Sequence, residues 1–255
     1  MKLKFIAIIP ARYASTRFPA KPLALLDGKT IIHRVYERVD KLVDKIVVAT
    51  DNSLIEQEVK NFGGNVVMTR TDHKSGTDRC WEAYEKNGEK FDVIINVQGD
   101  EPFIHPSQIK SLKECFTDEH VQIATLVKPF SLKDGYQALQ NVNSPKVVIN
   151  NNMEALYFSR SIIPFVRNEQ PGNKWLEKHA FYKHIGIYAY KPDILKLITK
   201  LPQSSLEIAE SLEQLRWIQN GLRIKVGISD KETIGIDTPD DLHKAEQFLE
   251  MHPNY

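Results

Sequence analysis

Cysteine is scarce in this chain: Cys80 and Cys115 are the only two among 255 residues. Two thiols build neither a disulfide framework nor a cysteine metal cage, and their scarcity fits a reducing cytoplasm. Net charge is nearly absent as well. The 34 Lys and Arg residues against 33 Asp and Glu leave a formal +1, which excludes any global attraction to nucleic acid or to a membrane surface. Long apolar runs are missing too. The opening MKLKFIAIIPA imitates a very short signal peptide, two lysines followed by apolar residues. Pro10 and Arg12 end that run at barely the minimum length, and strand-forming residues fill it, so it reads as a first strand. Nothing else approaches the length of a membrane span. There is no internal repeat, low-complexity segment or linker.

What is present is organised around Phe5 to Pro22, FIAIIPARYASTRFPAKP. Phe5 to Ile9 form a continuous apolar run of the length expected for a strand buried on both faces. Pro10 is expected to stop it, because proline has no amide to donate. The loop beyond holds three cations, Arg12, Arg17 and Lys21, and no acid before Asp27. Small residues between them leave the backbone free to approach a ligand. A basic loop leaving the carboxyl end of a buried first strand lies where open α/β sheets bind ligands. Packed there, the cations repel one another unless an anion joins them. The loop is neither G-x-x-x-x-G-K-[ST] nor G-x-G-x-x-G, so phosphates would be held by side-chain charge more than by a glycine nest. A solvated basic loop is the plainer alternative; the buried strand in front favours a polyphosphate cradle.

The chain then alternates. Ile31 to Leu42 has helical apolar spacing, Ile46 to Ala49 is a second buried strand, and Ser53 with Glu56 predicts a capping box for a helix closed by Gly63-Gly64. Val66 to Met68 is a third strand. Strand and helix in this rhythm imply right-handed βαβ units and a mainly parallel sheet. The polar stretch from Thr69 to Asp78 precedes a helix carrying Trp81 and Tyr84. In it, Ser75, Gly76 and Thr77 either present amides to a base or ribose or simply turn the chain and cap the helix. Val93 to Val97 is a fourth buried strand, running into Gln98-Gly99-Asp100-Glu101-Pro102.

Asp100, just past a buried parallel strand, shares the ligand-facing edge with the basic loop. It is either a salt-bridge partner of those cations or a ligand for a divalent ion, since Mg2+ takes one or two carboxylates plus substrate oxygens. From Leu132 the regular alternation breaks. Lys146 to Ile149 and Ala155 to Phe158 read as a hairpin, and His184 to Tyr190 as a returning strand. This segment, about 143–190, looks like an elaboration on a single domain spanning 1–255, in the usual place for selectivity or oligomer contacts. Arg160, His179, Lys183 and His184 enrich it in potential anion ligands. Leu206 to Asn220 reads as one amphipathic helix. Late in the chain Thr238 and Pro239 start a helix with acids in its first turn, which gives Asp240 and Asp241 a structural task and leaves Asp237 as the spare carboxylate.

Taken in order, IIPARYASTRFPAKPL, VATD, TRTDHKSGTDR, NVQGDEP, KHIGIYAY, SLEQLR and GIDTPDDL resemble the 3-deoxy-manno-octulosonate cytidylyltransferases, also called CMP-Kdo synthetases. The likeness runs from about Phe5 to beyond Leu242. It implies a Rossmann-like nucleotidyltransferase α/β fold: a mainly parallel sheet with helices on both faces, and an inserted β-rich segment for substrate and dimer contacts. It also implies a reaction, CTP plus 3-deoxy-manno-octulosonate (Kdo) giving CMP-Kdo and diphosphate, for lipopolysaccharide biosynthesis in the cytoplasm. By the same resemblance Arg12 and Lys21 would contact the CTP phosphates, with Arg17 beside them. Pro10, Ala11 and the loop with His73, Ser75, Gly76 and Thr77 would line the cytidine site. Asp100 and Asp237 would hold Mg2+. Gln98, Arg160, His184, Tyr188, Glu213 and Gln214 would surround the sugar, and the protein would be a homodimer. Lys21 stands in PAKP where many relatives have PGKP; the lysine and both prolines remain.

A cationic loop beside carboxylates suits that reaction, because nucleotidyl transfer depends mainly on positioning and charge neutralisation. Two other readings remain open from sequence: a cytidylyltransferase for another acidic sugar, such as 8-amino-Kdo or a sialic acid, and a nucleotide-binding regulator without turnover.

Overall fold

The computed structural model describes residues 2–14, 18–231 and 235–252. The chain opens with strand β1 (Phe5–Ala11), a short hairpin of β2 (Leu25–Leu26) and β3 (Lys29–Thr30), and helix α1 (Ile31–Val39). Then come β4 (Lys45–Thr50), α2 (Ser53–Asn61), β5 (Val66–Met68), α3 (Gly76–Asn87), β6 (Val93–Asn96) and α4 (Pro106–Glu114). The middle of the chain carries β7 (Ile123–Pro129), α5 (Gly135–Gln140), β8 (Lys146–Ile149), β9 (Ala155–Ser159), α6 (Lys174–Lys178) and β10 (Tyr182–Tyr190). It closes with α7 (Pro192–Ile198), α8 (Ser205–Glu210), α9 (Gln214–Gln219), β11 (Ile224–Ile228) and α10 (Pro239–Met251). The elements divide into two compact units. One comprises 1–109, 189–199 and 233–255; the other comprises 110–188 and 200–232.

In the first unit β1 lies between β6 and β4, with β5 beyond β4, and these three pairings are parallel; only the short β2–β3 hairpin is antiparallel among the pairings described there. Parallel strands need helical crossovers, which cover the sheet and call for apolar side chains on both faces. Phe5 to Ile9 meet that demand; Ile6, Ile8 and Ile9 are fully buried, each contributing roughly 1.5–3 kcal/mol. Pro10 does not end the strand. β1 continues to Ala11, with Pro10 opposite Ala49 and Ala11 opposite Thr50. On its other side the register with β6 ends at Ile8 and Asn96, so β1 has become an edge there and tolerates a residue without an amide proton.

A second expectation also changes. Asn52, not Ser53, caps α2, accepting from the amides of Leu54 and Ile55. Asparagine in an extended conformation reaches those amides as readily as serine, and Ser53 becomes the first helical residue.

The second unit is richer in antiparallel strands. β11 runs parallel to β7, while β8 pairs antiparallel with both β9 and β10. The hairpin expected around 150–152 is β8 and β9. The single helix expected over Leu206 to Asn220 is two, α8 and α9, broken at Ser211, whose φ of +51° is left-handed. The break is held from outside the helix. Arg160 donates from Nε to the Glu210 carbonyl at 2.7 Å, and from its terminal nitrogens to the carbonyls of Ser211 at 3.4 Å and Val142 at 2.9 Å. Carbonyls released at the end of α8 thus find a guanidinium in place of a further helical turn. Among the described residues no helix is long and apolar enough to cross a membrane.

Candidate active site

At the carboxyl edge of the first unit's sheet lies a cleft of about 300 Å³. The turn after β6 forms its floor. A Cβ on Gly99 would lie 2.8 Å from the Pro10 carbonyl oxygen, so glycine is what lets Gln98 to Asp100 pass beneath the end of β1. The amino end of α3 also comes near, a Cβ on Gly76 falling 3.3 Å from Pro10 Cγ. Pro10 therefore meets both neighbouring segments.

Lys21 reaches into this cleft. Its Nζ donates to Asp100 at 2.6 Å and to Asp237 at 3.1 Å, and only 12% of its side chain is exposed. Asp237 is brought there from the far end of the sequence. Ile236 donates its backbone amide to the Asp100 carbonyl oxygen at 2.9 Å. Just beyond, Thr238 and Asp241 form the capping box of α10, whose Asp241 carboxylate also accepts from the Asp237 amide at 3.2 Å. Burial would raise the Asp241 carboxyl, but hydrogen bonds from Thr238 and the Asp237 and Thr238 amides bring it below its ordinary value.

Arg12 lines the same cleft, is exposed, and among the described residues has no carboxylate partner. Pro10, Ala11, Gln98, His73, Ser75 and Gly76 complete the gathering of expected residues. Ser75 caps α3, as one of its two sequence readings has it, accepting from the Asp78 amide at 3.1 Å, and it also lines the cleft. Thr77 is buried and is not part of the cleft wall. Arg17 falls outside the described residues.

The remaining expected residues belong to the second unit. Arg160 is committed to the three carbonyls already named. His184 is enclosed between Phe158 and Tyr188 with Nε2 3.1 Å from Thr125 Oγ1; burial pulls its imidazole down to about 3, so it is neutral at pH 7. Tyr188 is buried against Trp217, and burial, then the Glu213 charge, pushes its phenol up despite a hydrogen bond with Thr125. Glu213 pairs with Arg216 at 2.7 Å. Gln214 is buried, and its side-chain Nε2 has no hydrogen-bond partner among the described residues.

Two residues not among the expected ones belong here as well: Arg79, which lines the cleft, and Asp51, to which it donates at 2.6 Å. Arg79 closes the motif SGTDR and Asp51 closes VATD, so both were on view within segments already noticed.

Asp100 and Asp237 are hard oxygen donors converging on one Lys21 nitrogen, as a divalent cation shared with phosphate oxygens requires. Two carboxylates and one ammonium carry a formal −1. An incoming polyphosphate would be repelled at that point unless a further cation joined it.

The sequence matches the family described as Cytidylyltransferase over residues 6–224. It is 67% identical to a 3-deoxy-manno-octulosonate cytidylyltransferase of Phocaeicola vulgatus, covering 98% of both chains. It is 66% identical to one from Bacteroides thetaiotaomicron, over 97% of this chain and 98% of the relative. Among solved structures, a CMP:2-keto-3-deoxy-manno-octonic acid synthetase complexed with CTP superposes with a TM-score of 0.89 at 42% identity, covering 97% of this chain and 99% of the other.

Proposed function

The chain belongs to the 3-deoxy-manno-octulosonate cytidylyltransferase family, and on that premise we propose that the cleft around Lys21 is its catalytic site, with Asp100 and Asp237 as the carboxylates that hold Mg2+. The protein is a nucleotidyltransferase that joins CTP and Kdo to give CMP-Kdo and diphosphate. The observation that carries the assignment of the site is the Asp100–Lys21–Asp237 bridge, set beside an Arg12 with no carboxylate partner among the described residues at the carboxyl end of β1.

The reaction is an in-line displacement: the sugar's anomeric hydroxyl attacks the α-phosphorus, and the bond from that phosphorus to the diphosphate oxygen breaks. What a protein supplies to such a step is alignment and neutralisation of charge. Arg12, exposed in the cleft, takes the phosphate chain. Lys21, kept in place by Asp100 and Asp237, offers a second positive charge close to the reacting centre. Pro10, Ala11 and the wall from His73 to Gly76 enclose the nucleoside, and Gln98 lines the same cleft two residues before Asp100. A bound divalent ion supplies Lewis-acid polarisation of phosphate oxygens and acidifies a coordinated hydroxyl.

The buried Gln214 amide donor, without an acceptor among the described residues, supports Gln214 as a sugar contact. Exposed Leu156 and Phe165 support the 143–190 segment as a homodimer surface. Cys80 and Cys115 form no disulfide, which supports a cytoplasmic location. The direct test is diphosphate release from CTP and Mg2+ with a panel of acidic sugars. Turnover with Kdo and not with sialic acid is expected; turnover that persists with Asp100 and Asp237 both replaced by Asn would remove the site assignment. Sedimentation at micromolar concentration tests the dimer, and a monomer there would refute it.

A further inference from the structure

Helix α3 turns one face back onto the segment that precedes it. Arg79, Glu82 and Lys86 recur at i, i+3 and i+7, which places them on one side of the helix. Lys86 Nζ donates to the Met68 carbonyl at 2.9 Å and pairs with Glu82 at 2.7 Å. Glu82 receives the Arg70 amide on both carboxylate oxygens, at 3.1 and 3.3 Å, and is bonded to His73 Nε2. Arg79 donates from one arm to Thr69 Oγ1 at 2.5 Å and to the Arg70 carbonyl at 3.3 Å, and from the other to Asp51 at 2.6 Å. The contact is shielded from water: side-chain exposure is 5% for Arg79, 7% for His73 and 15% for Glu82. Burial would raise the Glu82 carboxyl, yet the bonds from Lys86, the Arg70 amide and His73 bring it down to about 2, so it is ionised at neutral pH.

None of these bonds is needed to start α3, which has its own capping box from Ser75 and Asp78, nor to extend β5, which ends at Met68. What they determine is the path of 69–73, which delivers His73 and the adjoining Lys74 to the cleft wall. We propose that Arg79 and Glu82 are positioning residues for the nucleotide, holding this wall in its binding form before CTP arrives. The proposal rests on the cleft being the CTP site. A wall already ordered loses little conformational freedom on binding, so the brace acts on CTP affinity and leaves the sugar and the chemical step alone.

Glu82→Gln keeps the side chain's shape and removes its charge. Calorimetric titration with CTP, steady-state kinetics in each substrate and a ligand-free melt would be measured on Glu82→Gln, on Arg79→Lys and on an Arg12→Ala control. Glu82→Gln is expected to weaken CTP binding and raise KM for CTP roughly tenfold or more, the scale of a lost charged hydrogen bond. Its KM for Kdo, and kcat at saturating CTP, stay as in the wild type. Arg79→Lys, which keeps the charge but loses the fork joining Thr69 to Asp51, moves the same parameter and serves if Glu82→Gln does not fold. A Glu82→Gln protein that melts lower but binds CTP normally, or whose two KM values rise together, overturns the proposal. Arg12 lies outside the brace: if Arg12→Ala weakens CTP binding while both brace variants bind normally, only the brace fails. If Arg12→Ala also binds CTP normally, the cleft is not the CTP site.

Discussion

Ile236 donates its backbone amide to the carbonyl oxygen of Asp100 at 2.9 Å, and that bond sets Asp237 in register with Asp100. The two carboxylates then meet on Lys21 as a consequence of backbone geometry, not merely of attraction between side chains. The arrangement is therefore expected to survive removal of either charge.

Asp100→Asn and Asp237→Asn should each retain the fold and lose activity by orders of magnitude, corresponding to several kcal/mol of transition-state stabilisation. Chelation by EDTA should abolish turnover and added Mg2+ restore it. Diphosphate-release assays beside thermal melts decide the matter: variants that melt far lower but turn over normally in their folded fraction would make these aspartates simple counterions of Lys21.

Replacing Arg160 by Ala should act first on stability. It strands carbonyls of Val142, Glu210 and Ser211, at about 1–3 kcal/mol for each acceptor left dry, less where water enters. The urea midpoint should fall without a selective rise in KM for Kdo. A normal midpoint with a raised KM for the sugar alone would instead return Arg160 to substrate recognition.

His184 should make the protein acid-sensitive. Its imidazole titrates at about 3 when folded, because burial disfavours the cation, against 6.5 for the free side chain. Below pH 6.5 the unfolded chain takes up a proton that the folded one refuses, so stability is lost progressively from pH 6.5 towards 3. Urea titrations across that range should show a shallower pH dependence for His184→Gln than for the wild type; parallel slopes would contradict it.

Lys146 works on the alkaline side. Burial, and secondarily the Arg160 charge, lower its ammonium from 10.5 to about 8, while Glu210 opposes the shift. Between pH 8 and 10.5 the unfolded chain binds more protons than the folded one, so this group's contribution to stability rises with pH there. Lys146→Met should remove that rise, as read from urea midpoints at pH 8 and 10. An equal pH response in both proteins would show that the lysine is not held in a dry site.

The strands and their order were legible because the signal is local. A buried parallel strand must be apolar on both faces, so VIIN, IVVA and FIAII announce themselves. Boundaries set by neighbours were not. Whether Pro10 ends a strand depends on whether β6 still runs beside it. Whether Leu206 to Asn220 is one helix or two depends on Arg160, which lies far away in sequence. The helical spacing of Arg79, Glu82 and Lys86 was readable, but nothing in that spacing says that the partner is the chain's own preceding segment.

By itself the sequence determined the α/β class, the family, and the cleft residues Arg12, Lys21, Asp100 and Asp237, since residue type and position relative to strand ends are written in one dimension. Tertiary structure decided what each charge does. Arg160 and Arg12 are the same side chain, yet one is consumed by carbonyls and the other faces an open cleft. His184 would be half protonated at pH 6.5 in water and is neutral inside the protein. Charge state and hydrogen-bond commitment follow from burial and from partners brought close in space, and neither quantity exists until the chain has folded.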